Sequence, residues 1–404
     1  MRKLPSPHCL LLAGLIAASG CQCADSDPGW ALYEDFGFGV DVGPDLPLAP
    51  DMGMLPDPPR EPEEIAVDVP LSHALNERTA LAVDEQGTVY LGYHACRTRA
   101  CEQVDLTLGR RARGGDWTFE TVKEQRGTFG IDVAVPEEVV AAFLDPTDNT
   151  FKVARRLGVD AWEFRALGVR RTGPSDGLDI TADAERMFVT FANERGDPVS
   201  LFAMEDGVWR AAPTLDIGHA SAAYERGLGS DDAGNLYLVH QQGDDPSPWG
   251  VARYSMRDGE WKERTYYQEL PRPRPSSLVV TSDGQLCIAG DINFGRVTIT
   301  CGDMTHLERK RWEFDEHVAL GAGGYSSMLE GSDGALYVAY PSDSNTQLRL
   351  ARKPADSDAW TIETVFEKNA YGVSTIIDSQ NLLVISYYTC GSLNCSLEVI
   401  SRRQ

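Results

Sequence analysis

Six tryptophans, Trp117, Trp162, Trp209, Trp261, Trp312 and Trp360, recur at intervals of 45, 47, 52, 51 and 48 residues, each following a similar series of short apolar runs. A period of that size belongs to chains built from copies of one supersecondary unit, each unable to bury its faces until a neighbour covers them. The runs alternate apolar and polar residues and are rich in β-branched and aromatic types, as in Val89-Tyr90-Leu91, Leu236-Tyr237-Leu238 and Leu336-Tyr337-Val338. That is a strand pattern. Four short strands per repeat at this spacing predict an all-β propeller.

The first unit sets the register for the rest. Leu81 to Val83 reads as strand A, Thr88 to Tyr93 as strand B, Asp105 to Arg111 as strand C and Trp117 to Val122 as strand D. Later copies start at Ile131, Leu178, Leu228, Leu278, Met328 and Thr375, which makes seven blades. The turns between strands A and B carry Asp and Gly, as in Asp84-Glu85-Gln86-Gly87, Asp231-Asp232-Ala233-Gly234 and Ser332-Asp333-Gly334. Gly accepts a positive φ and Asp bonds its own backbone, so these are hairpin turns and not calcium loops; none completes an EF-hand pattern. The seventh unit stops after strand C, at Gln404. Glu64-Ile65-Ala66-Val67-Asp68-Val69 resembles the D strands Trp117-Thr118-Phe119-Glu120-Thr121-Val122 and Trp360-Thr361-Ile362-Glu363-Thr364-Val365. The N-terminal strand is therefore expected to complete the last blade and close the ring, so that no sheet edge stays open between the chain ends.

The copies Leu336-Tyr337-Val338-Ala339-Tyr340, Leu350-Ala351-Arg352 and Trp360 to Val365 resemble a secreted bacterial propeller repeat: an Asp-x-x-Gly turn with a Tyr strand, then Leu-x-x-Ala-x-Arg, then Trp-Thr-x-Glu-x-Val. The resemblance covers the whole repeat region and implies the fold. The tryptophans themselves are read as packing between blades.

Ahead of the propeller, residues 1–20 carry Arg2 and Lys3, an apolar stretch and a small-residue approach to Cys21, the layout of an export signal. The stretch is too short to span a membrane. It resembles a lipoprotein signal, in which Cys21 is lipidated; ordinary cleavage without lipid is the alternative, because Ala18 stands where Leu is more usual. Gln22 in place of Asp implies sorting to the outer membrane. Residues 21–64 form a tether, where Ala24 to Glu64 hold eight prolines and eleven acids against one base. Residues 65–404 form one propeller domain. The net charge of −24 argues against nucleic acid and against direct adsorption to an anionic membrane. Membrane contact is expected through the anchor alone, and the domain is read as a monomer.

Six of the nine cysteines fall in the propeller. Cys96 and Cys101 share a gap and a place with Cys390 and Cys395, in the B-to-C connections of blades 1 and 7, while Cys287 and Cys301 face each other across a hairpin of blade 5. Three local disulfides follow in an oxidising compartment. The alternative is a four-thiolate zinc site where blades 1 and 7 meet. No cofactor motif is present.

In a propeller the D-to-A and B-to-C connections share one face, around the mouth of the channel. Arg78, Arg126, Arg171, Arg226 and Arg274 precede the first five A strands, and Tyr325 and Tyr371 precede the last two. This predicts an arginine and tyrosine collar. Guanidinium forks bind carboxylate, sulfate or phosphate bidentately, and aromatic faces suit sugar rings, so an anionic glycan or acidic ligand is the expected occupant. The competing reading pairs these arginines with adjacent acids, as in Glu77-Arg78 and Glu225-Arg226. His94 and His240 map to the same face, with His73, His219 and His317, but no His pair has metal-ligand spacing; a metal would need several to converge on a carboxylate such as Asp145, Asp244 or Asp291. The leading expectation is a non-catalytic, surface-tethered binding protein. The alternative is a carbohydrate-active enzyme, a sialidase-like hydrolase or polysaccharide lyase using Tyr325 or Tyr371. Against the sialidase, the chain lacks an Arg-Ile-Pro segment and a complete Ser-x-Asp-x-Gly-x-x-Trp box; Asp206-Gly207-Val208-Trp209 and Asp258-Gly259-Glu260-Trp261 are fragments. A scaffold for envelope assembly is the third possibility.

Overall fold

The computed structural model describes residues 62–70, 79–96, 104–125, 129–135, 138–170, 178–182, 186–191, 199–215, 227–231, 233–241, 249–267, 274–292, 296–303, 316–321, 326–342, 346–390 and 394–403. They form seven four-stranded antiparallel sheets. Blade 1 comprises Ala80–Val83, Val89–Cys96, Val104–Arg111 and Trp117–Gln125, strands A to D in chain order. Blades 2 to 6 repeat that order over residues 129–170, 178–211, 228–267, 274–321 and 327–366. Each A strand lies against the A strands of both neighbouring blades, and that of blade 7 (Tyr371–Ile377) lies against that of blade 1. The result is a closed seven-bladed ring.

Blade 7 takes its outer strand from the other end of the chain. Glu63–Pro70 pairs antiparallel with Asn394–Arg403, setting Ala66 opposite Leu397 and Val69 opposite Cys395. Ile65 packs on the cluster that joins blades 7 and 1, which holds Leu81, Leu91, Leu397 and Val399. Residues 1–61 lie outside the described residues, and Glu63 and Glu64, expected as the end of the tether, are the first residues of this strand.

Strand alternation explains why the blades stack. On strand B of blade 1, Val89, Leu91 and Tyr93 enter the core shared with blade 7, while Tyr90 enters the core shared with blade 2. Neither face meets water, so both must be apolar. The tryptophans follow a fixed rule: Trp117, Trp162, Trp209, Trp261 and Trp360 each pack into the junction with the preceding blade. Trp312 lies outside the described residues. One such ring also bonds across the junction, Trp261 Nε1 donating to the Pro213 carbonyl at 2.7 Å.

Around the channel the junctions are stitched by polar side chains on or beside the A strands. Asp132 accepts from the Ile180 N–H of the next blade at 2.9 Å, and Asp179 accepts from the Leu228 N–H at 3.0 Å. Ser277 does the same for Met328, and Ser327 for Thr375, at 3.0 and 3.1 Å. Thr79 closes the ring by bonding the Gly372 carbonyl and the Ser386 hydroxyl of blade 7. The junction of blades 4 and 5 uses close approach instead. A Cβ on Gly229 would stand 2.5 Å from Leu278 Cδ2, so the glycine makes room for the leucine.

Two of the expected disulfides are present, Cys287–Cys301 and Cys390–Cys395. Cys390 and Cys395 are thus spent, which removes two of the four thiolates that the zinc alternative needs. Cys101 and the Cys96 side chain lie outside the described residues, as do Cys21 and Cys23.

Candidate functional site

The Asp/Gly turns are one end of a lock that ties the A-to-B turn to strands B and C. In blade 6, Asp333 receives the Ala335 N–H and the Tyr337 hydroxyl, and Arg352, directly across the sheet from Tyr337, donates Nε to that hydroxyl at 3.0 Å and Nη2 to Asp333 at 2.9 Å. Blade 1 repeats it with Asp84, Tyr90 and Arg110, and blade 4 with Asp231, Tyr237 and Arg253. Burial, followed by the Asp partner, raises the Tyr90 and Tyr237 phenols above their ordinary value. They stay protonated and donate. In blade 5 the same cross-strand position holds Cys287 opposite Cys301, so a disulfide stands where blades 1, 4 and 6 put tyrosine and arginine. The Gly at the turn has φ of 80° in blade 1, 81° in blade 4 and 73° in blade 6, the left-handed region that the motif requires.

These locks mark the face where strands A and B, and strands C and D, are joined. The Asp206-Gly207 and Asp258-Gly259 fragments are also on this side, in the turns before the tryptophan strands of blades 3 and 4. They are tight hairpin turns, with Asp206 and Gly207 both at positive φ.

On the opposite face, Arg274 and Tyr371 are the first residues of the A strands of blades 5 and 7. Arg78, Arg126, Arg171, Arg226 and Tyr325 lie outside the described residues, as does the Arg274 side chain. Tyr371 is half-buried against the cluster joining blades 7 and 1. Among the described residues its hydroxyl bonds no Asp, Glu or His. His94 is buried within blade 1, 1% exposed, so it is not displayed on the face. His240 is on strand B of blade 4, with its side chain outside the described residues, as are the side chains of Asp291 and His317; Asp244, His73 and His219 are outside altogether.

Asp145, at the end of strand B of blade 2, is fully described and is held by cations. Lys123 from blade 1 and Lys152 from blade 2 both donate to it, the latter at 2.7 Å, and the Thr147 N–H adds a third bond at 2.9 Å. Burial would raise this carboxyl; the bonds from Lys123, Lys152 and Thr147 more than reverse it and hold it well below the usual carboxylate range. Lys123 also lies over the Phe143 and Phe164 rings, 5.8 Å from each centroid. Asp145 is therefore a tie between blades. Among the described residues no three His, Cys, Asp or Glu side chains gather as a metal site would require.

A cavity of about 1060 Å³ lies on the lock side of the ring, across blades 1, 2 and 3. Its lining includes Arg110 and the turn residues Glu85 and Gln86 of blade 1, Leu157 of blade 2 and Thr181 of blade 3. Sequence reading did not find it, because its walls come from three blades whose alignment about the axis is not written in any one repeat.

No family model matches the chain, and no curated protein matches it. Several solved structures are similar. One is a protein of unknown function from Dyadobacter fermentans DSM 18053, with TM-score 0.51 and 11% identity over 85% of this chain and 100% of that one. A PL25 ulvan lyase has TM-score 0.53 and 10% identity over 82% and 96%, and the polysaccharide lyase Uly1 has 0.52 and 10% over 81% and 91%. At these identities the likeness is one of fold.

Proposed function

We propose that this protein is a surface-tethered, non-catalytic binding propeller that takes an anionic glycan or similar acidic ligand at the channel mouth where the D-to-A connections emerge. The observation that carries the reading is the ring of A strands. Each blade repeats the same strand order, and an arginine or tyrosine precedes or opens every A strand: Arg78, Arg126, Arg171, Arg226, Arg274, Tyr325 and Tyr371. A residue type repeated at one end of one strand in every blade converges on one rim. Arginine forks there would bind carboxylate or sulfate oxygens in pairs, and the two tyrosines would stack on sugar faces. The tether, anchored at Cys21 in the outer membrane, would hold the domain at the membrane surface.

A second reading, a polysaccharide lyase, is favoured by the fold shared with PL25 ulvan lyase, one structure of which is bound to -[GlcA(1-4)Rha3S]-. Catalysis would require a phenol poised beside a base. Tyr371 has no such partner among the described residues, which is why binding stands first. A screen of uronate-containing and sulfated glycans against the full chain tests both readings. The binding reading expects saturable binding without release of unsaturated, ultraviolet-absorbing uronate, and loss of binding when Arg78, Arg126 and Arg226 are changed together to Ala. Undiminished binding in the triple variant would sink the collar, and steady release of unsaturated product would move the assignment to the lyase.

A further inference from the structure

The cavity on the lock side contains two charges that form no ion pair among the described residues. Most of the ions in its lining are already committed: Arg156 donates to Glu120 at 2.5 Å, Glu138 is gripped by Arg155, and Asp84 holds the Thr88 N–H and the Tyr90 hydroxyl. Arg110 and Glu85 differ. In blade 6 the equivalent arginine, Arg352, completes its lock with an ion pair to Asp333. In blade 1, Arg110 reaches the Tyr90 hydroxyl, but among the described residues no carboxylate pairs with it. Its guanidinium is oriented by the tyrosine and opens on the cavity. Glu85 and Gln86, exposed on the A-to-B turn, have no hydrogen bond among the described residues. Beside them Leu157 is 61% exposed on the cavity wall, an apolar surface facing a polar space.

We infer that this cavity is a second ligand site, separate from the collar, and that it takes a short zwitterionic peptide with an aliphatic side chain. The carboxylate of the peptide meets Arg110, its ammonium meets Glu85, and its aliphatic side chain lies on Leu157. One unpaired cation and one unpaired anion in a single cavity select a ligand with both charges and a net charge near zero. Such a ligand is not repelled by the acidic surface. About 1060 Å³ exceeds what one amino acid fills and accommodates two or three residues.

Calorimetric titration of the full chain with Ala-Leu and Ala-Ala-Leu, each free, N-acetylated and C-amidated, tests the site. The free peptides should bind. R110Q should weaken them by about tenfold or more, and so should C-amidation with the wild type, whereas amidation should cost R110Q nothing further. E85Q and N-acetylation should behave as the matching pair, while R352Q, in a lock remote from the cavity, should bind as the wild type does. L157E, at the exposed end of strand C of blade 2, provides a variant free of any role in the lock and should abolish binding. Equal binding by R110Q, E85Q or L157E overturns the proposal, as does equal binding of the capped peptides or the absence of binding by any of them.

Discussion

Deleting residues 63–70 removes the strand that completes blade 7, and the cost can be worked from its contacts. Five of its residues stand opposite partners on Asn394–Arg403. At about 1 kcal/mol net for each paired position, and about 1–2 kcal/mol for the half-buried Ile65 side chain, the strand contributes about 6 kcal/mol. Domains of this kind hold about 5–15 kcal/mol in total, so the deletion takes a large part of the whole. Urea unfolding followed by tryptophan fluorescence reads the effect directly. With a slope of about 3 kcal/mol/M, the midpoint should fall by about 2 M. I65A alone should lose about 1–2 kcal/mol. A synthetic peptide of residues 62–70 added to the deletion variant should recover part of the loss, because the exposed edge of the last strand accepts it. A deletion variant with the wild-type midpoint would refute the closure of the ring by this strand.

Other outcomes follow from single contacts. Y337F removes a hydroxyl that serves both Asp333 and Arg352 and should cost about 1–2 kcal/mol in the same assay. G227A places a Cβ 2.8 Å from Val239 Cβ, a branched side chain that cannot turn away, and should cost about 1–3 kcal/mol; G114A, with nothing within 4 Å, meets only its positive φ and should cost less. The Asp145 carboxyl is held below its unfolded value near 4, so its contribution is present above that value and drains as pH falls from about 5 through the folded value. D145N should therefore destabilise the protein by about 2 kcal/mol at neutral pH and flatten the acid side of its stability curve. Alkylation of the denatured, unreduced chain followed by mass measurement should leave Cys287, Cys301, Cys390 and Cys395 protected.

The ring is legible because each blade spends its tryptophan in the same way. Trp117, Trp162, Trp209, Trp261 and Trp360 all enter the junction behind them, so the period in the sequence is the angular step of the fold. The missing seventh tryptophan strand marked where the N-terminal segment had to go. The junction stitches are a different case. Asp132, Asp179, Ser277 and Ser327 do one task with two side-chain chemistries and at offsets that vary along their strands, so no repeat reveals them. The lock was half visible: Asp and Gly announced the turn, but the partner of Tyr337 is fixed by the register of strands B and C, which the sequence does not state. Cys287 and Cys301 show the same limit from the other side. Read alone they are a disulfide; in register they occupy the tyrosine and arginine positions of the neighbouring blades.

The stitches also determine where ligands can be held. A channel lined by polar side chains looks like a site, but Asp132, Asp179, Ser277 and Ser327 turn their oxygens sideways into the next blade and bond its backbone. Taking one of those oxygens for a ligand would strand a buried N–H at a cost of about 1–3 kcal/mol and loosen a junction. Recognition is thereby pushed to the two ends of the A strands, where side chains are not needed to hold the ring. At one end the sequence supplies arginines and tyrosines; at the other the locks leave Arg110 and Glu85 without an ion pair among the described residues. The belt between them is rigid and bonded to itself. Charge changes at one end should therefore leave ligand affinity at the other unchanged, and the energies of R110Q and of the triple arginine variant should add without coupling.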